Sequence, residues 1–340
     1  MCARRLVAEG IDPIEQKATL AARAAALAAK GMRFEECAER YMAAHRAGWR
    51  NEKHKAQWSS TLTAYVYPVL GAVPVDAVDV GLVMKAIEPI WAAKPETASR
   101  VRGRIEAVLD WAAARGYRAS ENPARWRGHL DKLLPKKTKV RRVEHHAALP
   151  YPELPAFVAE LRQQEGFAAL ALELAILTAA RTGEVIGARW EEFNLAERLW
   201  AIPAERMKAE REHRVPLPGP ALAILEQMAA IRQNEFVFAG ERSGRPISNM
   251  AMLMLLRRMG RDDLTTHGFR STFRDWAAER TNFPAEVAEM ALAHAVSDKV
   301  EAAYRRGDLF EKRRQLAEAW GRFCTIPAVG GEVLSLRWAR

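Results

Sequence analysis

The chain has 340 residues, 49% of them apolar, enough to supply a core to each of two domains, and its 52 Lys and Arg against 42 Asp and Glu leave a net charge of +10 that favours a polyanionic partner. Cys2, Cys37 and Cys324 lie far apart without a Cys-x-x-Cys spacing, which indicates neither a disulfide framework nor a zinc knuckle. The longest apolar run, Phe167 to Ala180, is interrupted by Glu173 and too short to span a bilayer, and the N-terminus has no hydrophobic signal core, so the expectation is a cytoplasmic protein with no membrane partner.

Residues 17–31, KATLAARAAALAAKG, join strong helix formers to a glycine stop and predict an exposed helical connector. Helical spacing of apolar residues recurs in FEECAERYMAAHRAGW (34–49), SSTLTAYVYPVL, DVGLVMKAIEPIW and ETASRVRGRIEAVLDWAAARG, so residues 32–128 predict a small all-helical domain. Residues 129–148 predict a basic interdomain linker, since Lys136, Lys137, Lys139, Arg141 and Arg142 are packed between two prolines. A second domain is expected over 149–323. It opens with helices at YPELPAFVAELRQQ, FAALALELAILTAA and TGEVIGARWEEF, the third capped by Thr182 with Glu184 in its first turn. LWAIPAERMKAEREHRVPLP predicts two short strands around a polar turn, and further helices follow. The fold class is therefore mainly α (α+β), with a small antiparallel sheet; the tail, 324–340, carries no readable pattern.

Within THGFRSTFRDW (266–276), about 100° per residue sets His267, Arg270 and Arg274 within roughly 60° of one another, with Phe269, Phe273 and Trp276 opposite. The expectation is a buried aromatic face and an outward imidazole and guanidiniums able to converge on one anion. Four more positions join them. Arg181 sits beside the backbone N–H groups of a helix start, a place suited to phosphate; Lys208 lies at the strand-to-turn junction of the hairpin, a place from which a mobile ammonium can reach across a groove as a proton donor. His294 precedes a helix start marked by Ser297 and Asp298, and Tyr304 lies near a helix end closed by Gly307. Each taken singly has an ordinary structural explanation as a surface, cap or packing residue.

The ordered series AARTGEV, MKAEREHRVPLP, THGFR, LAHAVSD and EAAYRR resembles the tyrosine recombinases, the phage-integrase family, whose signature runs Arg, hairpin Lys, His-x-x-Arg, His or Trp, then a nucleophilic Tyr. RTGEVIGARWEEFNL and AYRRGDLFEKRRQLAEAW resemble the integrases of prophages and genomic islands, and WRNEKHKAQWSSTLTAYVYPVLG with ETASRVRGRIEAVLDWA resembles their core-binding domain. The resemblance implies catalytic roles for Tyr304 as nucleophile, Arg181 and Arg270 as phosphate clamp, Lys208 as proton donor to the leaving oxygen, His267 in proton transfer and His294 on a nonbridging oxygen. Arg274 has no counterpart in the signature.

The resemblance further implies a 3′-phosphotyrosyl intermediate on double-stranded DNA at a core-type site, and a homotetramer working on two DNA sites. DNA-bending or directionality factors are possible additions to that assembly. The two domains are expected to form a clamp around DNA, with the basic linker tracking phosphates. One phosphoester replaces another, so no nucleotide is required, and arginines supply positive charge that a metal would otherwise provide: no cofactor and no metal site is expected. His145 and His146, being successive, point apart and make a poor metal pair. Related island integrases carry an additional N-terminal arm-binding domain, of which ARRLVAEGIDPIEQ resembles only the last helix, so residues 1–31 are expected to be a remnant plus connector. Two other functions fit parts of the same pattern: a noncatalytic DNA-binding remnant of an integrase, and a relaxing topoisomerase of type IB.

Overall fold

The computed structural model describes residues 31–49, 52–119, 121–140, 148–294 and 307–326. The chain divides into two compact units, Met1–Val143 and Glu144–Arg340. The expected connector helix of residues 17–31 lies, but for Gly31, outside the described residues, as do His145, His146 and most of the tail.

The first unit is helical: α1 (Phe34–His45), α2 (Glu52–Tyr65), α3 (Val80–Trp91), α4 (Pro95–Ala114) and a short α5 (Lys137–Val140). In α4, Val101, Ile105, Val108, Leu109 and Ala112 recur at helical spacing, and all are buried against Phe34, Leu62, Val83 and Ile87 from the other helices. Asp79 caps α3 by accepting the Leu82 N–H at 2.8 Å. Arg104, on the buried side of α4, donates to the Gln57 carbonyl at 2.7 Å and lies 5.3 Å over the Trp58 ring, which satisfies a guanidinium inside an otherwise apolar bundle. This unit reaches further along the chain than expected. Leu130 and Leu134 are buried in its core and Trp91 donates its indole N–H to the Pro135 carbonyl at 2.9 Å, so residues 130–135 are packed structure where the sequence suggested linker.

The second unit comprises α6 (Leu154–Leu161), α7 (Phe167–Thr178), α8 (Thr182–Ile186), strands β1 (Phe193–Asn194), β2 (Leu199–Ile202) and β3 (His213–Pro216), then α9 (Gly219–Ala230), α10 (Ala251–Arg258), α11 (Gly268–Arg280), α12 (Ala285–Ala291) and α13 (Phe310–Cys324). Helix α7 is apolar all round and forms the centre of the core; its one carboxylate, Glu173, is buried and accepts two hydrogen bonds from Arg162, at 2.8 and 2.6 Å. Trp320 of α13 donates to the Ile176 carbonyl at 2.8 Å, meets Phe273 edge-on and Trp276 at a tilt, and stacks with Phe323, which fastens α13 and α11 to α7. The sheet is antiparallel in the order β1-β2-β3. It has three strands instead of the expected two because α8 ends at Ile186, capped by Gly187, leaving Trp190–Glu192 as a 3-10 turn that delivers Phe193 to β1. Among the described residues no helix is long and apolar enough to cross a membrane.

Candidate active site

Two sharp turns build the site. The first joins α7 to α8. Ala179 adopts a left-handed conformation (φ 50°) and Arg181 is extended, so the chain reverses and residue 181, not Thr182, becomes the N-cap of α8. Thr182 cannot take the cap because it is already the first helical residue. Glu184, one turn on, accepts the Arg181 backbone N–H at 2.8 Å and its guanidinium at 2.7 Å, so a single buried carboxylate fixes both the cap and the side chain.

The second turn closes α12. Ala293 is left-handed (φ 49°); its N–H donates to the Met290 carbonyl at 3.1 Å and that of His294 to the Glu289 carbonyl at 3.0 Å, a Schellman arrangement. This turn points the Leu292 and Ala293 carbonyls inward. Arg181 donates to them at 3.3 and 3.0 Å, and Arg270 donates to the same Leu292 carbonyl at 2.6 Å and to the Ala179 carbonyl. The shared acceptor brings two guanidiniums together. His294 Nε2 stands 3.4 Å from Arg270, while its Nδ1 is 2.6 Å from Glu289 Oε2.

Arg270 differs from the outward stripe that the sequence suggested. It is only 5% exposed, buried together with Phe269, Phe273 and Trp276, because the turns on either side offer it carbonyls in place of water. Burial, reinforced by the neighbouring Arg181 and opposed by Glu184, pulls its pKa down to about 10, which leaves it charged at neutral pH. Arg274 points elsewhere, donating to Glu289 Oε1 at 2.6 Å. Side-chain exposures of 26% for Arg181 and 41% for His294 leave the nest open on one side. That opening can admit an anion.

His267 is exposed at the N-cap of α11, and its carbonyl accepts the Arg270 N–H at 3.1 Å. Lys208 is exposed on the β2–β3 connection, and the hydrogen bonds uniting Arg181, Arg270 and His294 do not involve it. Tyr304 lies outside the described residues. Of the expected DNA contacts, Lys136 is exposed, but Lys137 is engaged with Glu96 at 3.0 Å because α5 folds beside the start of α4. Arg141, Arg142 and the Lys139 side chain lie outside the described residues.

Three members of the site escaped sequence reasoning in any role beyond local structure. Glu184 carried a readable signal, an acid at the third helical position after the turn. His213 of β3 carried none; its ring hydrogen-bonds the Ala291 backbone and feels the charges of Arg313, Glu184 and Arg181. Burial first, then Arg313, depresses its pKa to about 4. Glu289 lies five residues before His294, a separation meaningful only once the α12 turn is known.

The phage integrase family model matches residues 149–309, and the phage integrase central domain model matches residues 34–129. The prophage integrase IntZ of Escherichia coli K12 is 34% identical over 319 residues, covering 93% of this chain and 76% of that protein. The chain belongs to the phage integrase family. The integrase of Enterobacteria phage P4 is 29% identical over 340 residues, covering 94% of this chain and 74% of its own. Among solved structures, a lambda integrase tetramer bound to a Holliday junction shares the integrase fold at a TM-score of 0.61 and 16% identity, covering 79% of each chain.

Proposed function

We propose that this integrase is a site-specific DNA recombinase that cuts and rejoins double-stranded DNA through a 3′-phosphotyrosyl intermediate on Tyr304, serving integration or excision of a mobile element. The observation that carries the reading is the convergence of Arg181 and Arg270 on one carbonyl beside His294, in a nest open on one side. A phosphodiester under attack gathers negative charge on its nonbridging oxygens, and cations already held in place stabilise that arrangement more than the ground state.

The steps balance without a net change in bond type. The Tyr304 oxygen forms a bond to phosphorus as the bond to the 5′ oxygen breaks, and the phenolic proton leaves with assistance from His267. Lys208 gives a proton to the departing 5′ oxygen, and its exposed position on the β2–β3 connection suits a group that reaches across to its substrate. His294, carrying a proton on each ring nitrogen, donates from Nε2 to a nonbridging oxygen. Rejoining reverses these transfers with a different 5′-hydroxyl. The ester energy is retained throughout, so no nucleotide enters the reaction. The likeness to a lambda integrase tetramer on a Holliday junction supports a tetramer of this chain on two core-type sites.

Incubation with nicked duplexes that lose the short leaving strand tests the reading. The wild type is expected to accumulate a covalent protein–DNA adduct resistant to SDS, Tyr304→Phe none, and Arg270→Ala an adduct formed at least about 100-fold more slowly with DNA affinity nearly retained, as for loss of an oxyanion donor. Binding without any adduct across core sequences would favour a noncatalytic DNA-binding protein. Catalytic relaxation of arbitrary supercoiled plasmid would favour a topoisomerase.

A further inference from the structure

A histidine that must donate a hydrogen bond from one chosen nitrogen needs something to hold the other. The nitrogen that carries the proton in a neutral imidazole is set by the partner of its opposite number. At His294 that partner is Glu289, whose Oε2 lies 2.6 Å from Nδ1, while Nε2 faces Arg270 at 3.4 Å. A carboxylate accepts and never donates when ionised, so this contact requires the proton on Nδ1. Nε2 is thereby the nitrogen turned to the arginine nest.

Glu289 is itself held. Its second oxygen, Oε1, accepts from Arg274 Nε at 2.6 Å, and its backbone carbonyl accepts the His294 N–H at 3.0 Å through the Schellman turn. One residue thus anchors both the main chain and the ring of His294. Burial alone would raise the Glu289 carboxyl, but the hydrogen bonds and charges of Arg274 and His294 outweigh it and hold the group below the usual carboxylate range, so it stays an acceptor.

We infer that Glu289 is a positioning residue of the DNA-cleaving site, holding the Nδ1 proton of His294 so that Nε2 faces the phosphate held by Arg181 and Arg270, where a second proton on the ring makes Nε2 the donor. This rests on the recombinase reading for its catalytic consequence, though not for the tautomer. Arg274, the member of the His267, Arg270 and Arg274 set without a counterpart in the family signature, then acquires a role of its own, keeping Glu289 ionised and oriented.

Two measurements on the full chain test it. Long-range proton–nitrogen NMR of the ¹⁵N-histidine-labelled protein, with His294→Gln for assignment, is expected to show His294 protonated at Nδ1 and unprotonated at Nε2 in the neutral form, a preference lost in Glu289→Ala. A neutral His294 carrying its proton on Nε2 in the wild type overturns the proposal, whether or not the protein cuts DNA. The second measurement is single-turnover adduct formation on the nicked duplex. Glu289→Ala is expected to slow it roughly 10- to 100-fold, the scale of a misplaced catalytic group, with DNA affinity unchanged and with Glu289→Gln restoring part of the rate. In a His294→Gln background, Glu289→Ala should cost nothing further, because the residue it positions is gone. Arg274→Ala, which leaves the contact from Glu289 to His294 in place, should cost less than Glu289→Ala. Losses that multiply in the double variant, or a rate loss matched by weaker DNA binding, would instead make Glu289 a structural staple between α11 and α12. A wild type that forms no adduct would sink the recombinase reading and leave the tautomer result to decide this one.

Discussion

His213 illustrates what the nest imposes on a single side chain. Half-buried on β3 near Arg313 and Arg181, its imidazole stays neutral far below its ordinary range, with a pKa of about 4 against 6.5. Between those two values the unfolded chain binds a proton that the folded one refuses. Stability therefore falls as pH is lowered through that window, by at most about 3 kcal/mol, and is flat above it. Urea unfolding of the wild type and His213→Gln between pH 7 and pH 4 checks this, with roughly that much of the pH dependence expected to vanish in the variant; parallel curves would contradict it. Arg270 is the opposite case. Its donors meet the carbonyls of Ala179 and Leu292, so it keeps its charge at neutral pH in a place where a lysine, with one compact ammonium, would satisfy fewer acceptors. The sequence identified Arg270 as a site residue but set it on the wrong side of the helix. Helical spacing gives an angle about an axis and cannot show that two distant turns supply carbonyls to the buried face.

At the scale of elements, the site depends on how two helices end. Helix α7 runs its apolar length and stops in a left-handed alanine; α12 does the same at Ala293. Both positions would suit glycine, and neither stop is marked by one, so the sequence offered no sign of the turns that carry the Arg181 and His294 positions. An L-residue in that conformation is strained by about 1 kcal/mol. Ala293→Gly is expected to raise stability by roughly 0.5–1 kcal/mol in thermal unfolding, because the turn is retained and its strain relieved. A clear loss would mean that the Ala293 methyl contributes packing that outweighs its backbone strain. Helices α1, α3 and α4, with clear periodicity, and α7, a long apolar run, were legible within a few residues. The end of α8 was not, because TGEVIGARWEEF continues in good helix formers past a glycine whose role is set by packing: a Cβ on Gly187 would stand 2.9 Å from the Arg206 guanidinium.

At the scale of the molecule, each unit has its own apolar core, and the residues between them divide unevenly. Leu130 and Leu134 belong to the first core although their neighbours Lys136 and Lys137 read as linker. Charge composition pointed to a polyanion, and the order of Arg, Lys, His-x-x-Arg, His and Tyr pointed to the family; neither shows which bridging oxygen leaves when the nucleophile attacks phosphorus. The proposed chemistry turns on Tyr304 becoming joined to the 3′ phosphate of a cut strand under the Arg181 and Arg270 nest. Trypsin digestion of the trapped adduct, with nuclease trimming of the DNA and mass spectrometry of the peptides, decides the point. The expected result is a nucleotide mass on the peptide VEAAYR, residues 300–305, linked through a 3′ phosphate, and a 5′-hydroxyl on the released strand. A nucleotide carried by any other residue, or a 5′-phosphotyrosyl link, would contradict it.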